Sequence, residues 1–321
     1  MPAGRILLNY GPHPEHLARL RRAAPGWEIT PAENEEEARH LATEAVAILG
    51  NRFFLQSLPA ARRLRWFQSN SVGMDLVLSD PAVAARGIVV TNARGVYDGE
   101  LADHAVSLLL ALVRGVGRWA REMAGGGWER RPLARLEEIP TLLLGFGGVG
   151  RAVARRLAAF GTPLSAVRRR HREDGAARAA RELGVELLEG GDLGRALGRC
   201  RALVVALPLT KDTRGILDRD RLALLPDGAF LVNVARGALL DEAALRERLP
   251  RLGGVALDVF AQEPLPPGHW LRRDPRVVLT PHVGRSPEIG RPRWEGLFEE
   301  NLRRFAAGEE LLNVVDPGAG Y

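Results

Sequence analysis

Cysteine and lysine are nearly absent from this chain of 321 residues: Cys200 and Lys211 are each the only one of their kind. One cysteine excludes an internal disulfide and any cysteine-based metal site, and no metal is expected. No apolar run approaches the ~18 residues that cross a membrane. The amino terminus shows neither the apolar core nor the cleavage site of a secretory signal. A cytoplasmic location without a membrane partner is the expectation. Acidic residues are outnumbered, 39 Asp+Glu against 45 Lys+Arg, and the net charge of +6 is carried almost wholly by guanidinium groups. Clustering rather than net sign marks a nucleic-acid surface. A charge of +6 spread over a chain of this size is a weak field, so no nucleic-acid partner is expected. What is abundant is ordinary globular material. Hydrophobic residues at 46%, charged residues at 26% and 36 glycines argue against disorder and suffice for one large domain or two.

Short apolar runs alternate with helical patterns along the chain. Strands are expected at 5–10, 27–30, 45–49, 64–68 and 87–91, with helices over 13–24 and 34–43, the second capped by Asn34. From Leu101 to Val116 runs a helical pattern apolar on most faces, which must be buried between domains or in a subunit contact. After Gly125-Gly126-Gly127 a second alternation begins. Its strands are expected at 141–144, 163–167, 202–207, 229–234, 254–257 and 277–279, and its helices at 150–160, 176–183, 218–225 and 241–248. A last helix is expected over 288–307. Two successive alternations predict an α/β chain of two doubly wound parallel-sheet domains with a cleft between them.

Leu142-Leu143-Leu144 runs into Gly145-Phe146-Gly147-Gly148-Val149-Gly150, a G-x-G-x-x-G pattern between a strand and a helix. The first glycine makes the tight turn and the second lets the backbone approach a pyrophosphate. The third lets helix and strand pack, with the helix amino terminus facing the anion. An NAD site places an acid at the end of the next strand, but here Arg168-Arg169-Arg170-His171-Arg172 stand instead. No acidic residue occurs between Gly145 and Glu173. Missing repulsion plus guanidinium forks suit a 2′-phosphate, so NADP(H) is the expected cofactor, with NAD(H) possible. A solvated basic loop is the other reading of that run.

Further motifs resemble those of the D-isomer-specific 2-hydroxyacid dehydrogenases over nearly the whole chain. They are Ser69-Asn70-Ser71-Val72-Gly73-Met74-Asp75, Val90 to Val96 followed by Ala102-Asp103-His104, and Leu231-Val232-Asn233-Val234-Ala235-Arg236-Gly237. Leu257 to Pro264 and Thr280-Pro281-His282-Val283-Gly284 complete the set. The resemblance implies a flavodoxin-like substrate domain, residues 1–96 plus 287–321, into which a Rossmann cofactor domain, residues 97–286, is inserted. It assigns Arg236 to substrate orientation and polarisation, Glu263 to tuning the acid, and His282 to acid/base work. Gly145, Gly147, Gly148, Val149, Gly150, Arg168, Arg169, Leu207, Pro208, Thr213, Val234, Ala235, Asp258 and His282 become cofactor positions. Val72, Gly73, Arg236 and His282 become substrate positions. Asp258 either holds the nicotinamide carboxamide or caps local backbone. The family also implies a homodimer.

The chemistry suits those residue types. Reducing a 2-keto acid needs a proton donor for the developing alkoxide and a fixed cation for the carboxylate or carbonyl. A histidine past a strand end reaches a cleft, and a neighbouring carboxylate favours the imidazolium that a donor requires. An arginine fork fits a carboxylate. The expected activity is NAD(P)-dependent reduction of a glyoxylate- or hydroxypyruvate-type acid to the D-2-hydroxy acid. D-3-phosphoglycerate dehydrogenase without a regulatory domain is the alternative enzyme, and an NAD(P)-sensing, co-repressor-like binding protein the alternative class. Selectivity would depend on which of Tyr10, Phe53, Arg94 or Trp294 reaches substrate. Pro292 should kink a solvated start of the last helix, unless Arg291 or Arg293 contacts substrate there.

Overall fold

The computed structural model describes residues 4–130, 132–169 and 174–320. They form two compact units, Met1–Val96 with Pro287–Tyr321, and Tyr97–Ser286. The first holds β1 (Arg5–Leu8), β2 (Glu28–Pro31), β3 (Ala45–Leu49), β4 (Trp66–Gln68) and β5 (Val89–Thr91). They pair in parallel in the order β2-β1-β3-β4-β5. That is the flavodoxin-like order, whose switch point lies between β1 and β3. Leu7, Ile48, Phe67 and Val90 build the core on one face. On the other, Trp66 packs its ring 4.9 Å from Phe305 of the last helix.

The second unit holds β6 (Thr141–Leu144), β7 (Leu164–Arg168), β8 (Glu186–Glu189), β9 (Ala202–Val205), β10 (Phe230–Asn233), β11 (Gly254–Leu257) and β12 (Val277–Leu279). Their order is β12-β11-β10-β9-β6-β7-β8, all parallel, with a switch point between β6 and β9. Alternate residues serve opposite faces: Leu142, Leu203 and Leu231 join one core, Leu143, Val204 and Val232 the other. A sheet buried on both faces has to be apolar at every position, which is why these strands read as continuous runs. Asp218 and Asp241 cap the helices that follow them, accepting from the amides of Arg221 and Ala244.

Two expectations need correction. The apolar helix spans Asp98–Val113, and Gly115 at φ 63° breaks it from a second helix, Val116–Ala124. Its buried residues Ala102, Ala105, Leu109 and Val113 join the core of their own unit. Intra-unit packing therefore accounts for its apolar character, and no subunit contact is needed to explain it. The last helix runs from Pro287 to Ala307, close to its expected 288–307, with the exposed Pro292 inside it. Proline's missing donor forfeits one i→i−4 bond in the second turn, and the helix continues past it. Finally, β8 and the helix Leu193–Arg199 have no counterpart among the expected elements. β8 is an edge strand of sequence Glu-Leu-Leu-Glu with no fully buried residue, so no apolar run announces it.

Candidate active site

The glycine turn follows β6 at the switch point. Gly145 has φ 109°, and a Cβ there would lie 2.6 Å from the carbonyl oxygen of Ala206. A Cβ on Gly150 would lie 2.1 Å from the Gly145 oxygen, so helix Gly148–Ala158 approaches the strand as closely as only glycine permits. Gly147, the helix N-cap, faces open space: nothing stands within 4 Å of its Cβ position. The turn thus combines two tight contacts with one open backbone face, as a bound diphosphate requires. Gly148 carries an unforeseen feature, the Asp98 carboxylate packed directly on it, with Oδ2 1.9 Å from the Cβ position. Val149 is half-buried behind the turn. Across the switch point, Leu207 and Pro208 follow β9. Thr213 donates its hydroxyl to the Pro208 carbonyl (2.7 Å) and accepts from the Thr210 amide (2.8 Å), fixing that loop from within.

Arg168 ends β7 and Arg169 follows it. Arg168 is paired with Asp174, and Arg169 lies 3.8 Å from Asp212. Arg170, His171 and Arg172 lie outside the described residues.

The strand ends of β10, β11 and β12 build a second locus. Asn233 turns its amide back on the chain, donating to the Arg236 carbonyl (2.9 Å) and accepting from the Ala235 amide (3.0 Å). This shapes Val234 and Ala235 and presents the half-buried Arg236. Gly237 lets that loop touch the next, since a Cβ would lie 1.9 Å from the Phe260 carbonyl carbon. Glu263 accepts from the Phe260 amide through Oε1 (2.9 Å), leaving Oε2 2.7 Å from Nδ1 of His282. Both side chains are solvent-accessible, 35% and 42%. Among the described residues nothing hydrogen-bonds Nε2 of His282.

His282 sits at φ 54°, a left-handed conformation that costs a non-glycine residue about 1–2 kcal/mol. Asp258, buried at the end of β11, holds it there. Its carbonyl accepts from the His282 amide (2.8 Å). Its carboxylate accepts from Thr280 Oγ1 (2.6 Å) and from the amides of Val283 (2.9 Å) and Gly284 (3.0 Å), with His104 Nε2 at 3.2 Å. Burial pushes the Asp258 carboxyl up, but these donors outweigh it and hold it at about 2. The local-capping reading of Asp258 therefore describes bonds that exist. His104 and Thr280, which also bond each other at 3.0 Å, are the site residues that sequence reasoning left without a role. A polar side chain beside the buried Ala102 and Ala105 was the signal for His104.

Val72 and Gly73, expected at the substrate, belong to the first unit and are half-buried. Asn92 donates to the Val72 carbonyl (2.9 Å), and among the described residues no acceptor meets the amides of Val72 and Gly73. Tyr10 and Trp294 are 8% and 4% exposed, with rings 5.2 Å apart in an edge-on contact within that unit's core. Burial removes both from the candidates for free substrate contact, whereas Arg94 is exposed and Phe53 half-buried. Arg291 binds Glu295 (2.7 Å) and the Gly11 carbonyl (2.7 Å), and Arg293 donates to the Val96 carbonyl (3.0 Å).

A seven-stranded parallel sheet in this order, with a glycine turn and helix amino terminus at its switch point, is a dinucleotide-binding domain. The chain belongs to the D-isomer specific 2-hydroxyacid dehydrogenase family, whose NAD binding domain matches residues 106–284. Membership makes it an NAD(P)-dependent 2-hydroxyacid oxidoreductase. It is 32% identical over 292 residues to a glyoxylate reductase of Pyrococcus furiosus, covering 85% of this chain and 84% of that one. It is 36% identical over 267 residues to a D-3-phosphoglycerate dehydrogenase of Mycobacterium bovis, covering 82% of this chain but only 49% of that protein. Among solved structures, an NADPH-dependent glyoxylate/hydroxypyruvate reductase of Sinorhizobium meliloti in complex with NADP and sulfate superposes with a TM-score of 0.84. Its identity is 25%, and 99% of this chain and 100% of that one are covered.

Proposed function

We propose that the chain reduces a small 2-keto acid of the glyoxylate or hydroxypyruvate type to the D-2-hydroxy acid, with NADP(H) preferred over NAD(H). The Glu263–His282 pair carries this reading: one ring nitrogen is anchored at 2.7 Å, the other meets no partner among the described residues, and the imidazole is solvent-accessible. Residues 97–286 act as the cofactor domain, with Gly145, Gly147, Gly148, Val149 and Gly150 around the diphosphate and Arg168 and Arg169 toward the 2′-phosphate. Leu207, Pro208, Thr213, Val234, Ala235 and Asp258 complete that surface, Thr213 and Asp258 acting chiefly through the backbone they hold. Residues 1–96 and 287–321 act as the substrate domain. When bound, the reduced nicotinamide supplies the hydride. Arg236 grips the carboxylate and polarises the carbonyl, the amides of Val72 and Gly73 receive the carboxylate, and Nε2 of His282 delivers the proton to the developing alkoxide. Glu263 keeps the ring in orientation.

The decisive measurement is NADPH oxidation with glyoxylate, hydroxypyruvate and 3-phosphohydroxypyruvate, repeated with NADH. Efficient turnover of the first two fits the proposal. Turnover confined to the phosphorylated acid would favour the phosphoglycerate dehydrogenase reading, which the Mycobacterium bovis likeness supports. No turnover with any 2-keto acid would leave a cofactor-sensing binding protein. A cytoplasmic homodimer belongs to the same proposal. It now rests on the exposed apolar residues Val116, Met123 and Trp128 (56%, 51% and 79% accessible), and light scattering at micromolar concentration tests it.

A further inference from the structure

The strand end that offers an arginine to a phosphate already carries an acid. Arg168 donates from Nη1 to Oδ1 of Asp174 at 3.0 Å and from Nη2 to Oδ2 at 2.7 Å. The arginine side chain is only 18% exposed. Asp174 is tied down independently, because Oδ1 also accepts from the amides of Ala176 (2.9 Å) and Ala177 (3.1 Å) as the N-cap of helix Gly175–Glu182. The Arg168 guanidinium, with those two amides, holds the Asp174 carboxyl well below the usual carboxylate range, so it is an anion at working pH.

Two parallel N–H···O bonds from one guanidinium are the geometry with which arginine grips either a carboxylate or a phosphate. A 2′-phosphate gripped by the same Nη1/Nη2 edge of Arg168 needs the donors that Asp174 occupies, and Asp174 cannot drift away without uncapping its helix. A ligand whose binding-competent state is only partly populated binds more weakly by that fraction.

We propose that Asp174 is a specificity-determining residue that competes with the 2′-phosphate of NADP(H) for Arg168, and so narrows the enzyme's discrimination against NAD(H). The proposal rests on the NADP(H) reading above. Asp174 is an intramolecular stand-in for the phosphate, and its charge sets how far the basic strand end favours one cofactor.

Calorimetric binding of adenosine 2′,5′-bisphosphate and of 5′-AMP to the full chain tests this without turnover. Asp174→Asn and Asp174→Ser both keep a capping oxygen and remove the charge. Each should tighten the bisphosphate by about 5- to 10-fold more than AMP, as expected if the fork is free only about a tenth to a fifth of the time. The KM for NADPH should fall in step. Combining Asp174→Asn with Arg168→Gln should abolish that gain. An unchanged bisphosphate-to-AMP ratio overturns the proposal. So does weaker bisphosphate binding, which would make Asp174 an orienting partner of Arg168, and so does a gain that survives Arg168→Gln. The wild type decides the underlying reading separately. Bisphosphate bound no tighter than AMP, together with better use of NADH, defeats the NADP(H) preference, while the change between wild type and Asp174→Asn still decides the role of Asp174.

Discussion

Each unit contains a histidine paired with a glutamate through Nδ1, and the two pairs are built to opposite ends. In the second unit His282 lies 2.7 Å from Glu263 and is 42% accessible, and its Nε2 meets no partner among the described residues. In the first, His16 lies 3.0 Å from Glu299 with its side chain at 0% exposure, and its Nε2 is 2.8 Å from the Tyr10 hydroxyl. Glu299 and Glu295 are in turn bound by Arg19, and Glu295 by Arg291. Burial lowers the pKa of His16, partly opposed by Glu295 and Glu299. The same residue pair thus suits the proposed proton delivery when it sits in a strained, accessible loop with one nitrogen left over. It makes a structural clamp joining helices Pro14–Ala23 and Pro287–Ala307 when both nitrogens are engaged under cover.

Exchanging the perturbations tests this contrast most directly. His282→Ala should lower kcat by ~10²-fold or more, the usual worth of a positioned acid/base group, with little change in unfolding midpoint. Near wild-type turnover would show the open pair to be decorative. His16→Ala should behave conversely. It strands the buried Tyr10 hydroxyl and leaves a cavity, so urea unfolding should report a loss of about 2 kcal/mol or more, with turnover of the folded fraction largely kept. Next in size, Glu263→Gln should reduce kcat by about 10-fold, because the ring loses its charged anchor while retaining a hydrogen-bonding neighbour. Glu299→Gln, made in parallel, should register in stability and not in kcat.

The smallest expected effect is on pH dependence. The folded pKa of His16 lies below its ordinary value of 6.5, so below that pH the unfolded chain binds the extra proton. Stability is then fully present above pH 6.5 and declines as the pH falls through the folded value, by no more than about 1.4 kcal/mol per pH unit from this group. Asp258 acts with the same sign further down. Its contribution is present above its ordinary 3.8 and lost as the pH approaches about 2. Chemical unfolding at pH 7, 6 and 5 should show a decline in wild type that is reduced in His16→Ala. An identical slope in both would remove His16 as its cause.

Much of this was legible in the chain. The continuous apolar runs of β6, β9, β10 and β11 match their expected strands closely, because sheet positions buried on both faces leave one residue class acceptable. Gly145 and Gly150 were legible as a turn, since no other residue fits their contacts with Ala206 and Gly145. The paired Glu263 and His282 were named from motif and chemistry alone. β8 was not legible, because an edge strand with two exposed glutamates carries neither run nor alternation. The Asp258–Thr280–His104 knot was not legible as a unit, for its members lie far apart in the chain and each type is unremarkable alone. The burial of Trp294, one of four residues left open as substrate contacts, was not legible, because an aromatic residue gives no sign of whether its surroundings are core or pocket.

Local pattern was enough to determine the α/β class, the parallel sheets, the dinucleotide turn and the residue types of the chemistry. Periodicity, glycine geometry and motif order are properties of short segments, and short segments carry them openly. Only the tertiary structure decided how acids and bases are partnered. Arg168 was expected to await a phosphate and is found gripping Asp174, and the His16–Glu299 pair is sealed while the His282–Glu263 pair is open. Partnership and burial depend on which distant segments converge. A charge's neighbours, rather than its own identity, set its energy and its availability for chemistry.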